Sequence, residues 1–274
     1  MTPPGNGAHA LAQLAHPFAP ISLEALDAKA ALLERRDNKY VVRGSVLASA
    51  LRAMACEFEA LEIDGRRCFA YESCYFDDAG LRSYHDHRQG RRQRMKVRTR
   101  HYVDSALCFV EVKLKDKRGA TVKRRMQYDP AFHGILDEAA RAHVENCHHE
   151  LYGRTHGHAL EAMLRVRYLR TTLVARGGGE RVTIDSCVHF DSAAGAWTTD
   201  DCFIVEAKSR SGNGLADRVL RRLHQHPTNG CSKYCVGMGV TGAVDRFNRF
   251  LPAMRKLGAR PARRPAALKE VLWP

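Results

Sequence analysis

The chain has 274 residues, is 45% hydrophobic and 27% charged, and carries 44 Lys+Arg against 30 Asp+Glu, a formal net charge of +14. That is too apolar for a disordered chain and long enough for one large domain with a sizeable core. No stretch approaches the roughly 18 apolar residues of a membrane helix. The first twenty residues lack a basic region followed by an unbroken apolar core, so the reading predicts no signal peptide and a cytoplasmic protein suited to anionic ligands.

Residues 1–20 hold Pro, Gly and Ala without periodicity and are expected to form a flexible arm. Residues 21–36 place Leu23, Leu26, Ala30 and Leu33 near helical spacing. A short strand over 38–42 and a helix over 45–56 follow. From Glu57 to Tyr128 the pattern is mostly strand-like, broken at Asp64-Gly65, at Asp77-Asp78-Ala79-Gly80 and at Lys117-Arg118-Gly119. Residues 130–162 read as mainly helical, with Pro130 in a first turn. Strands resume over 163–175 and 181–191, joined across Gly177-Gly178-Gly179, and over 201–210. Helix 215–225, a short segment Cys231–Met238 and a helix over 242–257 complete the folded part. Residues 258–274 form a basic, Pro-rich tail. The expectation is one α+β domain over 21–257, built on antiparallel strands.

The informative feature is alternation. In a strand, residues i, i+2 and i+4 share a face. Arg94, Lys96, Arg98 and Arg100 therefore lie on one face of their strand, and Met95, Val97 and Thr99 on the other. Glu111, Lys113 and Lys115 share a face of the next strand. Lys123 with Arg125, Arg165 with Arg167, and Glu206 with Lys208 and Arg210 alternate in the same way. A solvated face is the ordinary explanation. Residues 88–100, however, hold Arg88, Arg91, Arg92, Arg94, Lys96, Arg98 and Arg100 without one acid. If the apolar faces pack against helices and the sheet closes, the cations line a barrel. Two such charges ~7 Å apart repel by about 2 kcal/mol at an effective dielectric near 20. A bound triphosphate or polyphosphate would relieve that repulsion. Glu111 and Glu206 are then candidate metal ligands, with a plain ion pair as the alternative for Glu111.

The segments NKYVV (38–42), YFDD (75–78), YHDH (84–87), KVRTRHY (96–102), FVEVKLK (109–115) and VKRRM (122–126) carry a resemblance. RYLRTTL (167–173), RVTID (181–185), IVEAK (204–208) and SKYCVG (232–237) continue it. In order and spacing they resemble the VTC (vacuolar transporter chaperone) domain, the polyphosphate-polymerase branch of the triphosphate tunnel metalloenzymes, over about residues 30–240. The resemblance implies a closed antiparallel β-barrel with peripheral helices. Its implied activity is ATP-dependent lengthening of inorganic polyphosphate with Mn or Mg as cofactor. Phosphate would be held by Lys39, Arg98, Arg100, Lys113, Lys123, Arg170, Arg181 and Lys233, and metal by Glu206. Lys113, Arg98, Arg100 and Glu206 are the expected catalytic group. Hydrolase-type tunnels open with E-x-E-x-K; here the first strand reads Asp37-Asn38-Lys39-Tyr40, which favours the polymerase.

Other readings compete. A tunnel triphosphatase would share the site, and a non-catalytic polyphosphate or nucleic-acid binding module fits the charge. The basic strands lack interleaved aromatics for stacking bases, which disfavours nucleic acid. Cys147-His148-His149-Glu150 lacks metal-ligand spacing, and His87 is a weak candidate for a phosphate contact. Cys231 and Cys235 read as packing residues around Lys233. The nine cysteines include no CxxC and are expected to be free thiols. No P-loop motif is present.

Overall fold

The computed structural model describes residues 6–30 and 36–259, with side chains described from residue 11 onward in the first helix. Helix α1 (Asn6–Ala15) and strand β1 (Ala19–Ile21) occupy the stretch expected to be an arm. They are held by fully buried Leu11 and by Phe18, which pack into the core. Helix α2 (Leu23–Lys29) is capped by Ser22, whose hydroxyl accepts from the Ala25 N–H. Strand β2 (Arg36–Arg43), helix α3 (Gly44–Met54), β3 (Phe58–Leu61) and β4 (Phe69–Asp77) follow.

The YHDH segment is helical, not extended: it lies in α4 (Arg82–Gln89). Asp77 causes this. Its buried carboxylate accepts from the Ser83 and Tyr84 N–H groups, so the Asp-rich break caps a helix as well as ending a strand. Next come β5 (Arg94–Tyr102), β6 (Leu107–Lys115) and β7 (Thr121–Tyr128). In the region expected to be mainly helical, α5 (Glu138–Tyr152) is the α-helix, opened by Asp137 and closed by Gly153 at φ 69°. Strands β8 (Glu161–Ala175), β9 (Glu180–Ser192), β10 (Gly195–Thr198) and β11 (Cys202–Ser209) precede α6 (Leu215–Arg222) and α7 (Lys233–Val240). Gly242, at φ 77°, ends α7, and only Leu251–Lys256 (α8) of the last expected helix is α-helical. The expected tail lies outside the described residues beyond Ala259.

One eleven-stranded sheet organises the chain, with eight strands in the order β2-β11-β9-β8-β4-β5-β6-β7 and three off this path, β10 on β9 and β3 on β8 with β1 beside it. It is not a closed barrel: the path ends at β2 and β7, which do not pair among the described residues. The two edges differ in what they present. The Thr228 N–H donates to the Lys39 carbonyl on β2 at 2.6 Å. Strand β7 presents Lys123, Arg124 and Arg125 in succession, a charged edge that resists pairing. The sheet nevertheless curls. Five strand steps separate β11 from β6, about 24 Å if flat, yet Lys113 on β6 feels the field of Glu206 on β11.

The outer face is apolar. Helices α1, α3 and α6 cover β2, β9 and β11 through Leu11, Leu47, Leu51, Leu220, Tyr40 and Val205. Helix α5 covers β5 and β6 through Val144, Cys147, Val97, Val110 and Val112. The alternation of these strands thus sends the apolar set to the helices and the cations to the concave face. At one end that face is also apolar, because α7 enters it. Tyr234, Cys235, Val236 and Met238 pack on Tyr75, Leu164, Val166, Phe190 and Ile204. A bulge at Cys187 (φ 51°) makes this possible, turning Val188 and Phe190 inward although Val182 and Ile184 of the same strand face out. Asp77 joins the plug to the sheet by accepting from the Tyr234 hydroxyl at 2.6 Å.

The contact of α7 with the sheet is close enough to require glycine. A Cβ on Gly237 would lie 2.4 Å from Leu164 Cδ2 and 2.6 Å from Phe190 Cδ1, both on fully buried side chains. Gly237→Ala is therefore expected to destabilise by about 1–3 kcal/mol, overriding the helix propensity alanine would add. Gly177→Ala, with open space around its Cβ, is expected to stay within about 0.5 kcal/mol. Urea denaturation of the two variants checks the difference.

Candidate functional site

The concave face beyond the α7 plug carries the charged alternation of seven strands. Register places Lys96 beside Lys113 and Lys113 beside Lys123 across β5, β6 and β7. On the other side Lys39 pairs with Glu206, and Lys208 lies between Asp37 and Arg181. Arg170 on β8 stands opposite Asp185 on β9.

Two carboxylates organise four of these cations in pairs. Glu111 is buried and accepts from Arg98 Nε at 2.8 Å and Nη2 at 2.5 Å, while Lys123 lies 2.5 Å from its other oxygen. Burial would raise the Glu111 pKa; Arg98, Arg100 and Lys123 overcome that and hold it well below the usual range. Asp185 takes Arg170 through two bonds, at 2.6 and 2.9 Å, and also pairs with Lys233 from the first turn of α7. Burial is again overcome, by Arg170 and Lys233, and Asp185 remains ionised. Tyrosines complete the cradle. Arg98 donates to the Tyr75 hydroxyl at 3.0 Å and Arg100 to the Tyr168 hydroxyl at 2.8 Å. Lys233 stands 4.5 Å above the Tyr168 ring. Burial would raise the Tyr75 phenol, but Arg98, Arg100 and Lys233 lower it instead.

Glu206 differs from these two. Its partners Lys39 and Lys208 stand at 3.9 and 3.6 Å, beyond a hydrogen bond, so its oxygens remain available in the groove. Against burial, Lys39, Lys208, Arg170 and Lys113 hold it well below the ordinary carboxylate range. Lys113 has no ion pair among the described residues. Water reaches its ammonium, yet the groove walls enclose it; that enclosure, with Arg98 and Lys39, pushes its pKa down to about 6. Lys96 is pushed down to about 8 by burial and by Lys39, Arg94 and Arg98, while its Nζ donates to Ser232 Oγ at 3.0 Å.

The expected site residues are thus brought to one face: Lys39, Arg98, Arg100, Lys113, Lys123, Arg170, Glu206 and Lys233. Arg181 lies at the end of the row, beside Lys208 and 3.6 Å from Asp27 of α2. Glu111 takes the ion-pair alternative, because it is buried and paired with both Arg98 and Lys123. Asp185, Tyr75 and Tyr168 were not singled out by sequence, although Arg181-Val182-Thr183-Ile184-Asp185 alternates like the other strands. Asp37 also escaped. It precedes Lys39 by two residues on the same strand face, and its field reaches both Lys39 and Lys208. The first strand therefore keeps one carboxylate of the E-x-E-x-K pattern.

No group of three His, Cys, Asp or Glu side chains able to hold a metal occurs among the described residues. A divalent ion that takes most of its shell from phosphate and water needs only one or two carboxylates. Glu206, unsaturated and diagonal to Asp37 across β11 and β2, fits that requirement; Glu111 does not. His87 lies on α4 with Nδ1 2.7 Å from the Ser83 carbonyl, and burial and Lys96 push its pKa down to about 2. Cys147 is a core residue under β5 and β6, and Cys231 and Cys235 pack around α7. The described cysteines are free thiols.

No curated protein matches the chain. Among solved structures, a protein from Hippeastrum, described as an adenylyl cyclase candidate with a dominant triphosphatase activity, is 14% identical. It covers 79% of this chain and 100% of its own, at a TM-score of 0.47. An adenylate cyclase candidate from Bacillus halodurans is 10% identical, covering 72% and 95% at 0.47. A protein from Pyrococcus horikoshii OT3 is 11% identical, covering 69% and 90% at 0.39. Likeness at this level says nothing about substrate. No helix among the described residues is long and apolar enough to cross a membrane. Residues 34–241 match the VTC domain, a span running from the start of β2 through α7 and holding every cation described above, and the chain belongs to the VTC domain family.

Proposed function

We propose that the protein is a polyphosphate polymerase that transfers the γ-phosphoryl group of ATP to a growing inorganic polyphosphate chain. The observation that carries the reading is the concave face, where Lys39, Lys96, Arg98, Arg100, Lys113, Lys123, Arg170, Lys208 and Lys233 outnumber Glu111, Asp185 and Glu206. Membership in the VTC domain family supports it. A terminal phosphate oxygen of the acceptor chain attacks the γ-phosphorus. The bond to the β–γ bridging oxygen breaks, and that oxygen leaves with its electron pair on ADP. The attacking oxygen is already ionised, so no general base is required. The protein's part is positioning and charge stabilisation.

Arg98 and Arg170, clamped in place by Glu111 and Asp185, offer donors without reorganisation. Lys113, held below the usual lysine range by its enclosure and by Arg98 and Lys39, would gain proton affinity as the phosphates arrive. Glu206, with Asp37 beside it, would hold Mn or Mg, which when bound offsets phosphate charge and orients the triphosphate. A second reading, hydrolysis of inorganic or nucleoside triphosphate, is favoured by Asp37, because that carboxylate belongs to the hydrolase pattern.

Incubation of the protein with ATP and Mn²⁺ or Mg²⁺ is expected to give metal-dependent polyphosphate ladders with matching ADP, read by gel and phosphorus NMR. Free phosphate without ladders would establish the triphosphatase instead. Lys113→Ala is expected to lower turnover about a hundredfold or more, and Glu206→Ala to abolish its metal dependence, both with unchanged circular dichroism. Full activity in both variants would sink the groove as the active site.

Binding of tripolyphosphate without metal is also expected to take up protons. Because the anion raises the depressed pKa values of Lys113 and Lys96, their contribution to affinity falls as pH rises through those values. The anion titrates in the same range, so the uptake that is lost in Lys113→Ala is the part that belongs to that lysine, about one proton per anion bound. Calorimetry in buffers of different ionisation heat measures it; zero uptake would refute the depressed lysines.

A further inference from the structure

The acid-free run over residues 88–100 is only partly absorbed by the groove. Lys96, Arg98 and Arg100 enter it. Arg91, Arg92 and Arg94, with Arg82, Lys117 and Arg154, line a separate concavity of about 630 Å³. It lies between α4, the start of β5, the β6–β7 turn and the C-terminal end of α5. Asp86 is the one carboxylate lining it among the described residues, and it pairs with Arg91 at 3.1 Å. Arg82 meets Asp78 at 3.6 Å. Arg92, Lys117 and Arg154 form no ion pair among the described residues, so uncompensated charge converges on one hollow.

The frame that presents these cations is pinned. Gly90, at φ 72°, closes α4, and the Arg91 N–H donates to the Asp86 carbonyl at 2.9 Å. Arg249 donates to the Arg88 carbonyl at 3.2 Å. The Arg94 guanidinium donates to the Arg91 carbonyl. On the opposite wall, His148 Nδ1 lies 2.7 Å from the Arg154 carbonyl, and Glu145 accepts from the His156 and Gly157 N–H groups at 2.7 and 3.2 Å. The Tyr152 hydroxyl lies 2.7 Å from the Lys115 carbonyl and 3.1 Å from that of Arg94, tying α5 to both strands.

The hollow also adjoins the groove along β5. Arg94 shares a strand face with Lys96, one alternate position away and ~6.8 Å along β5. We propose that this pocket is a second polyanion site, which holds a linear condensed-phosphate chain where it extends past the groove. This rests on the polyphosphate reading above. A phosphate chain suits it better than RNA because Tyr152 is the sole Phe, Tyr or Trp in its lining among the described residues, and the Tyr152 hydroxyl is engaged by backbone.

The test compares long-chain polyphosphate, tens of phosphates in length, with tripolyphosphate at about 0.15 M salt, by competition fluorescence anisotropy. In Arg92→Glu/Arg154→Glu, affinity for the long chain is expected to fall about tenfold or more, with a shallower salt dependence. Tripolyphosphate affinity should stay within about twofold, because the groove is untouched. If charge reversal impairs folding, Arg92→Gln/Arg154→Gln is expected to show a smaller loss of about threefold with an unchanged Tm. Wild-type affinity for the long chain in a folded variant overturns the proposal. So does an equal loss for both anions, or single-stranded RNA displacing the long chain from the wild type at lower phosphate concentration. A protein that makes no polymer but loses long-chain affinity in the variant keeps the pocket and loses the polymerase reading. One that makes polymer while the variant binds the long chain normally does the reverse.

Discussion

The fold depends on keeping like charges together on the inside of a curved sheet. Taken alone, the cations of β5, β6 and β7 would repel one another by about 2 kcal/mol per close pair, and long side chains would relieve this by swinging to solvent. Glu111 and Asp185 prevent it. Each is buried, ionised and shared between two cations, so that Arg98 and Lys123 are fixed across three strands and Arg170 and Lys233 across two strands and a helix. Removing either carboxylate would leave a buried charge without its partner, the costly half of any buried pair. The clamps also explain why arginine occupies the two central positions: one planar guanidinium can hold its carboxylate and still turn a remaining N–H toward a phosphate or a tyrosine hydroxyl.

A sheet that curls without closing has a further property. Its two ends meet the groove as strands of opposite character: β2, whose edge is covered by the turn at Thr228, and β7, whose edge is bare and cationic. Helix α7 fills the remaining space from one end, with Gly237 allowing it to lie against β8 and β9. The same helix delivers Lys233 to Asp185 and Ser232 to Lys96. Core packing and site assembly are therefore one event. The bulge at Cys187 belongs to it, since without the change of face at Val188 and Phe190 the plug would rest on polar backbone rather than on side chains.

Much of this was legible in the sequence because a strand has a period of two and a charged residue at every second position is hard to mistake. Arg98, Arg100, Lys113, Lys123 and Glu206 could be read from alternation alone. Lys39, Arg170, Arg181 and Lys233 could not, since no cation stands two residues away from any of them and only the family pattern distinguishes them. Asp185 and Asp37 were hidden for the opposite reason: one acid among apolar or mixed residues looks like a solvated position until its partners on other strands are known. Closure of the sheet was over-read. Alternation specifies which face a side chain takes, whereas closure depends on what covers the edges, and that is set by a turn 189 residues away from Lys39, at Thr228 (228 − 39). Helix α4 was missed because the two aspartates that mark a strand end also supply a helix cap.

Transfer of a phosphoryl group to water and transfer to phosphate make largely the same demands on the groove. Both need the triphosphate held, its charge offset and its leaving group stabilised, and hydrolysis must in addition remove a proton from the attacking water. The two reactions part in what happens to the acceptor. A chain growing by one unit per turnover soon exceeds any groove, and its negative charge must be met along the path it takes. The arginines at the start of β5 lie on that path, one alternate position beyond Lys96, on a frame held by its own hydrogen bonds. Cations of that kind are superfluous to a hydrolase and useful to a polymerase. Long-chain binding at those arginines, as proposed, would favour the polymerase, whereas the charge inside the groove serves both reactions.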